Sequence, residues 1–157
     1  MEIETKKLYY GGKLMPWGKY CVVKNPNGWI YMGGVEGINP DTRTRDSIAE
    51  HYQPVDVAPD VEAQTKLCFQ KIKASLDEAG SSLNNIVKMW YYVVGDFPDG
   101  LAYSETWQTI CQVREDFLKV HAPNLCADQN PPTFDLIGVK HLALPKMIIE
   151  IAVVAVF

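Results

Sequence analysis

Residues 147–156, Met-Ile-Ile-Glu-Ile-Ala-Val-Val-Ala-Val, form an almost unbroken apolar run interrupted by one carboxylate, Glu150. A run this short and this rich in β-branched residues reads as an almost wholly apolar strand, since a membrane helix needs roughly 20 apolar residues. A strand of this kind has to be packed against other elements of the chain. Glu150 is the misfit. A carboxylate buried there unpaired costs several kcal/mol, on the order of the penalty for any uncompensated buried charge. It must therefore sit in an ion pair, face water at a sheet edge, or line a cleft. In the last case apolar surroundings would raise its pKa and suit it to general acid/base chemistry. From the residues alone all three remain open.

The rest of the chain supplies those elements. Residues 19–24 and 29–34 are short β-rich runs separated by Asn25-Pro26-Asn27-Gly28, a turn signal that predicts a hairpin between them. Residues 35–59 hold Pro40, Pro54 and Pro59, with Arg43 and Arg45, and show little periodicity, so a long loop is expected. Asp60 opens a helix whose apolar stripe is Cys68, Ile72, Leu76 and Ala79 and which Gly80 closes. Residues 86–94, Ile-Val-Lys-Met-Trp-Tyr-Tyr-Val-Val, predict a central strand. A second helix is expected from about Tyr103 to His121, with Trp107, Ile110, Cys111, Phe117 and Leu118 inward. Strands at about 134–140 and 147–156 complete the order ββ–α–β–α–ββ, an α+β layer sandwich with two helices on one face of a mixed sheet.

Composition narrows the function classes. The 157 residues suit one domain over 1–157, and 15 Lys+Arg against 19 Asp+Glu leave a formal charge of −4. That balance argues against a protein built to grip phosphates, and His51, His121 and His141 show no spacing that pairs them as acid and base. Cys21, Cys68, Cys111 and Cys126 are scattered without a C-x-x-C pair, so neither a zinc site nor a disulfide framework is expected, and no metal set is visible. Cys68 and Cys111 fall on helix stripes and are expected in the core, while His121 suits a helix C-terminus. Residues 1–7 lack the apolar core of a secretory signal, and a cytoplasmic location without membrane attachment is expected. Four Trp, eight Tyr and five Phe are many for so small a chain, and several (Trp17, Phe97, Tyr103) fall in apparent loops, where interfaces and clefts use them.

The stretch Pro132-Thr133-Phe134-Asp135-Leu136-Ile137-Gly138-Val139, followed by Leu142, Pro145 and Ile149-Glu150-Ile151, resembles the C-terminal signature of the RidA (YjgF, L-PSP) family. That signature runs Pro-Ala-Arg-x-x-Val-x-Val, a short loop, then Val-Glu-Ile-Glu-Ala-Val-Ala. Further similarities follow in order: Gly18-Lys19-Tyr20, Gly33-Gly34, Ile38-Asn39-Pro40, Val61-Glu62-Ala63-Gln64-Thr65 and Ala79-Gly80-Ser81-Ser82-Leu83. The resemblance implies a homotrimer of chorismate-mutase-like subunits with ligand clefts between neighbours. It implies hydrolysis of reactive imines or enamines, such as 2-aminoacrylate, to a 2-keto acid and ammonia, without a cofactor. By position, Glu150 would activate water, Tyr20 would line the cleft and the backbone around Gly33 and Gly34 would hold the substrate.

The departures from the pattern are specific. The family Arg that takes a substrate carboxylate falls, in the ungapped register, on Phe134, which cannot form that ion pair. Lys140 lies about 20 Å further along the same strand face; Arg43 and Arg45 are the nearest candidates for a substitute cation. Gly33 stands where many members have Ser, and Ser104 is one candidate for a family Asn that has no clear counterpart. Two function classes follow. One is a deaminase (hydrolase) for a more apolar or aromatic-derived imine, with Glu150 as acid/base and Trp17, Tyr20 and Phe134 forming an apolar pocket. The other is a non-catalytic trimer that binds a small molecule in the same clefts. Ribonuclease action is the weaker third reading.

Overall fold

In the computed structural model, which describes residues 1–39 and 57–157, the elements are β1 (Glu2–Tyr10), β2 (Lys13–Lys24), β3 (Trp29–Tyr31), β4 (Val35–Glu36), α1 (Val61–Glu78), β5 (Ile86–Val94), α2 (Glu105–His121), β6 (Thr133–Val139) and β7 (Ile149–Val156). The apolar run is β7, and it has partners on both sides. It pairs antiparallel with β5 along one edge and with β3 and β4 along the other, and β6 lies parallel to β5 on the far side. Ile149, Ile151, Val153 and Ala155 of β7 are buried in the main core. Val154 and Val156 pack on the opposite face with Val87, against Ile3, Cys21 and Val23 of the first two strands. Both faces are thus covered, which is why the polar alternation of a surface strand is missing.

The two helices form the cover on the first face. Asp60 accepts from the Ala63 N–H at 2.8 Å and so caps α1. Gly80, at φ +75°, ends it with the Ser81 N–H donating back to the Leu76 carbonyl at 2.8 Å. Phe69 of α1 stacks on Phe117 of α2 at 5.5 Å between centroids. Cys68 is fully buried, and burial pushes its thiol up to about 12, so it behaves as a core residue. Gln64 is buried but satisfied: it donates to the Ala58 and Lys146 carbonyls at 2.9 Å each and accepts from the Ile148 N–H at 2.7 Å. These bonds fasten the start of α1 to the start of β7, two residues before Glu150.

The hairpin is not where the turn signal placed it. Strand β2 pairs antiparallel with β1, through a turn at Gly11 and Gly12 with φ of +55° and +77°. Two successive positive φ values match the turn that best suits a twisted hairpin, so these glycines outcompete Asn25–Gly28. The latter segment instead carries the chain to the main sheet, where the Asn27 and Gly28 N–H groups both donate to the Phe157 carbonyl. The hairpin leans on the β6 edge through the Gly18 N–H, which donates to the Pro132 carbonyl at 3.1 Å. Of the expected loop at 35–59, residues 35–36 form β4 and Ile38 bridges to Val57, while Pro40, Arg43, Arg45 and His51 lie outside the described residues.

Candidate functional site

Register decides which side chains can meet. Glu150 lies opposite Tyr92 of β5 on one side and Glu36 of β4 on the other. Tyr92 in turn lies opposite Ile137 of β6. Residues paired across a ladder share a face, so Glu150, Glu36, Tyr92 and Ile137 project from the face opposite the helices. Phe134 pairs with Met89, and both belong to the helix side. The pocket expected from sequence, with Phe134 and Glu150 together, is therefore not formed within one chain: the two residues point to opposite faces. The β6 residue that shares the face of Glu150 at that end is Asp135, which lies opposite Trp90.

Glu150 is half-buried, and its pKa is raised, first by desolvation and second by the negative charge of Glu36. Among the described residues no cation lies within ion-pair distance of it. Glu36 does have one, the Lys71 ammonium at 3.8 Å. The backbone at Gly34 passes directly over the Glu150 side chain. A methyl group added at Gly34 would fall on the carboxylate and within 2.6 Å of its Cγ. Gly33 differs: nothing lies within 4 Å of the place its Cβ would occupy. The pair thus offers one glycine that seats the carboxylate and one that leaves open space beside the backbone.

Tyr20 is exposed and lines a shallow groove on the same face with Lys88 and Trp29. Lys88 is four residues, roughly 13 Å, along β5 from Tyr92, so Tyr20 is a neighbour of the site rather than a contact of Glu150. Lys88 is itself held 2.7 Å from Asp135 and lies 5.2 Å from the Trp90 ring centre. Trp17 goes elsewhere. Its ring packs on Phe134 at 4.8 Å, and Phe134 also meets Tyr91 at 5.4 Å and Trp107 at 5.7 Å. The residues named from sequence therefore separate into Glu150, Gly34, Gly33 and Tyr20 on one face and Trp17 with Phe134 on the other.

Arg114 of α2 escaped the sequence reading. Only 4% exposed, it sits in the same aromatic cluster, with its guanidinium 5.6 Å from the Phe134 ring centre and 6.0 Å from that of Trp107. The signal was present in the helix pattern, because 107, 110, 114 and 118 are successive positions of one inward stripe and a cation occupies the third. Ser104, considered as a stand-in for a family Asn, is the N-cap of α2: its Oγ accepts from the Trp107 N–H at 3.1 Å and donates to the Leu101 carbonyl at 2.7 Å. Ser104→Ala is accordingly expected to cost about 1 kcal/mol in urea unfolding with no change in turnover, and a turnover loss would assign it a role at the site.

Comparison with known proteins agrees with this arrangement of elements. The sequence model described as Endoribonuclease L-PSP matches residues 12–157. The chain belongs to that family. A RutC family protein of Aquifex aeolicus is 27% identical over 142 residues, covering 90% of this chain and 91% of the relative. A RutC family protein of Pyrococcus abyssi is 33% identical over 78 residues, covering 50% of this chain and 53% of the relative. Among solved structures, the Rid family protein YyfB of Yersinia pestis superposes with a TM-score of 0.69 at 20% identity, over 100% of both chains. E. coli TdcF with bound serine gives 0.60 at 23% identity over 89% of each. At these identities the structures establish the shared fold. Phe134, the residue that the resemblance sets at the position of the family Arg, faces the helices, and Asp135 faces the Glu150 side.

Proposed function

We propose that this family member hydrolyses a small imine or enamine to a carbonyl compound and ammonia, in clefts between the subunits of a homotrimer. The observation that carries the reading is Glu150: a half-buried carboxylate without a counter-cation among the described residues, seated under Gly34, with a raised pKa. In its ionised form it takes a proton from water as the oxygen adds to the C=N carbon. The protonated acid then returns that proton to nitrogen, giving the neutral carbinolamine. The carboxylate next relays the hydroxyl proton to nitrogen as the C–N bond breaks, leaving the carbonyl and ammonia, and an enamine enters the same route after tautomerising to its imine. A pKa raised toward the working pH serves both halves of the cycle. The open space beside Gly33 lets the substrate approach the backbone, whose N–H and C=O groups fix its polar end.

Assembly is supported by what a lone chain leaves uncovered. Tyr9, Tyr10, Tyr20, Val22, Trp29 and Tyr31 are all exposed, Tyr31 by 76%, and all lie on β1, β2 and β3. An aromatic concentration on one set of strands is what subunit interfaces bury. Charge argues for the class of substrate. Glu36 and Asp135 share the face of Glu150, and Lys88 is already committed to Asp135, so a dianion is disfavoured there. Half-exposed Trp90 and Tyr92 favour a more apolar or aromatic-derived imine. TdcF, solved with bound serine, offers a precedent for a small ligand on this fold.

The test is ammonia release. The purified chain, its mass checked by sedimentation, is given 2-aminoacrylate generated in situ and, separately, aromatic-derived aminodienoates. Release above the buffer rate is expected, faster with the aromatic series. Background rates with every substrate would overturn the proposal in favour of a binding protein.

A further inference from the structure

A second pocket, of about 240 Å³, opens on the helix side of the sheet, between α2, β6 and the 125–128 segment. Much of its wall is apolar, with Met89, Leu118, Leu125 and Phe134, and of the two cations that line it, Arg114 and Lys119, Arg114 is the buried one. An arginine buried this deeply needs a counter-charge, because desolvating a guanidinium without one is costly. What the chain provides is meagre. The nearest carboxylate, Glu115, is 3.7 Å away, too long for a hydrogen bond, and its own side chain is 47% exposed. The Tyr91 hydroxyl accepts a hydrogen bond from the guanidinium, but burial pushes it up to about 12 against the opposing pull of Arg114, so it stays neutral and supplies no counter-charge. That hydroxyl already donates to the Met89 sulfur at 3.3 Å. The Phe134 and Trp107 rings lie 5.6 and 6.0 Å from the guanidinium carbon and are cation–π partners without a charge of their own, so a full counter-charge is left to an anion.

We propose that this pocket binds a small organic monoanion, a carboxylate carrying an aromatic or branched apolar tail, with Arg114 taking the carboxylate and the apolar wall taking the tail. The planar fork of arginine matches two carboxylate oxygens. The volume lies below the roughly 300–1,000 Å³ usual for drug-sized ligands, which suits a single-ring or branched-chain acid. Glu115 and Asp128 also line the pocket and oppose a dianion such as phosphate, while Lys119 there favours a single negative charge. The site lies on the opposite face of the sheet from Glu150, so it is separate from the proposed catalytic cleft. A structural arginine would be replaceable by an apolar side chain of similar size without consequence for ligands. A ligand-binding one would not.

Calorimetric titration of the full chain separates these cases. Phenylacetate is expected to bind saturably, one per chain, with phenylacetamide weaker by about tenfold or more, the usual loss when a charge-assisted pair is removed. Inorganic phosphate is expected to bind more weakly than phenylacetate. Arg114→Met should abolish binding. Ala127→Trp, which places an indole in the pocket lining while keeping Arg114, should abolish it too, and decides the matter where Arg114→Met does not fold. Glu150→Gln should bind phenylacetate like the wild type, which keeps this outcome independent of the fate of the hydrolase proposal. Absence of saturable phenylacetate binding, retention of it in a folded variant of the pocket, tighter binding of phosphate, or loss in Glu150→Gln would each overturn the assignment.

Discussion

Glu150→Gln is expected to lower ammonia release by on the order of 10²–10⁴-fold, the range that a positioned acid/base contributes, with the fold intact. Gln keeps the shape and removes the titration. In the wild type, kcat/KM should fall on the acid side as Glu150 becomes protonated, with a midpoint above the ordinary carboxylate value of 4.5 because burial raises it. Glu36→Gln removes the second cause of the shift, so the midpoint should move to lower pH while activity persists. Stability carries the same signature with its own sign. Because the folded pKa is raised, the folded chain binds more protons than the unfolded one between pH 4.5 and the raised value, and stability falls as pH increases across that window. Glu150→Gln lacks this loss and should melt higher than the wild type at neutral pH, with the gain disappearing below about pH 4.5. A variant with full turnover would remove Glu150 from the mechanism.

Gly34→Ala is expected to cost about 10²-fold in kcat with little loss of stability. The three atoms nearest to the new methyl group all belong to the Glu150 side chain, its carboxylate oxygen, Cδ and Cγ. A flexible side chain swings aside at small cost, so unfolding should change by less than about 1 kcal/mol. The carboxylate, however, leaves its seat, and a misplacement of about 1 Å in a reacting group is enough for a loss of that size. Gly33→Ala makes the contrast, because its methyl group would enter open space; there the expected effect is on KM, through the room left for substrate. Equal kcat values for Gly34→Ala and the wild type would show that this contact does not position the carboxylate.

Much of the framework could be read from the sequence because it rests on local patterns. The stripes of α1 and α2, the density of β-branched residues in β5 and the unbroken apolar run of β7 each announce one element. Strand β1 could not be read this way, since Glu4, Thr5, Lys6 and Lys7 blur its alternation and the louder turn signal at Asn25–Gly28 drew the hairpin away from Gly11 and Gly12. Glu150 was visible as a charge out of place. Its partners were not, because Gly34, Glu36 and Tyr92 reach it only through strand pairings that join segments distant in sequence. The face of Phe134 was equally hidden: a shift of one residue turns a strand side chain to the other side of the sheet, and no local cue sets that register. Arg114 stood in plain view on its stripe and went unread because a helix pattern is searched for its apolar members.

The place of β7 in the sheet also bears on how the chain is made. Strands β3, β4 and β5 all hydrogen-bond to it, yet all three precede it in the chain. As synthesis proceeds at roughly 5–20 residues per second, seconds pass between the emergence of β5 and the arrival of the strand that closes the core. Over that interval the earlier strands present open edges and apolar faces on the ribosome, with no partner to cover them. Closure of this core therefore waits for β7, and a chain made only as far as β5 is the form that leaves these edges and apolar faces uncovered.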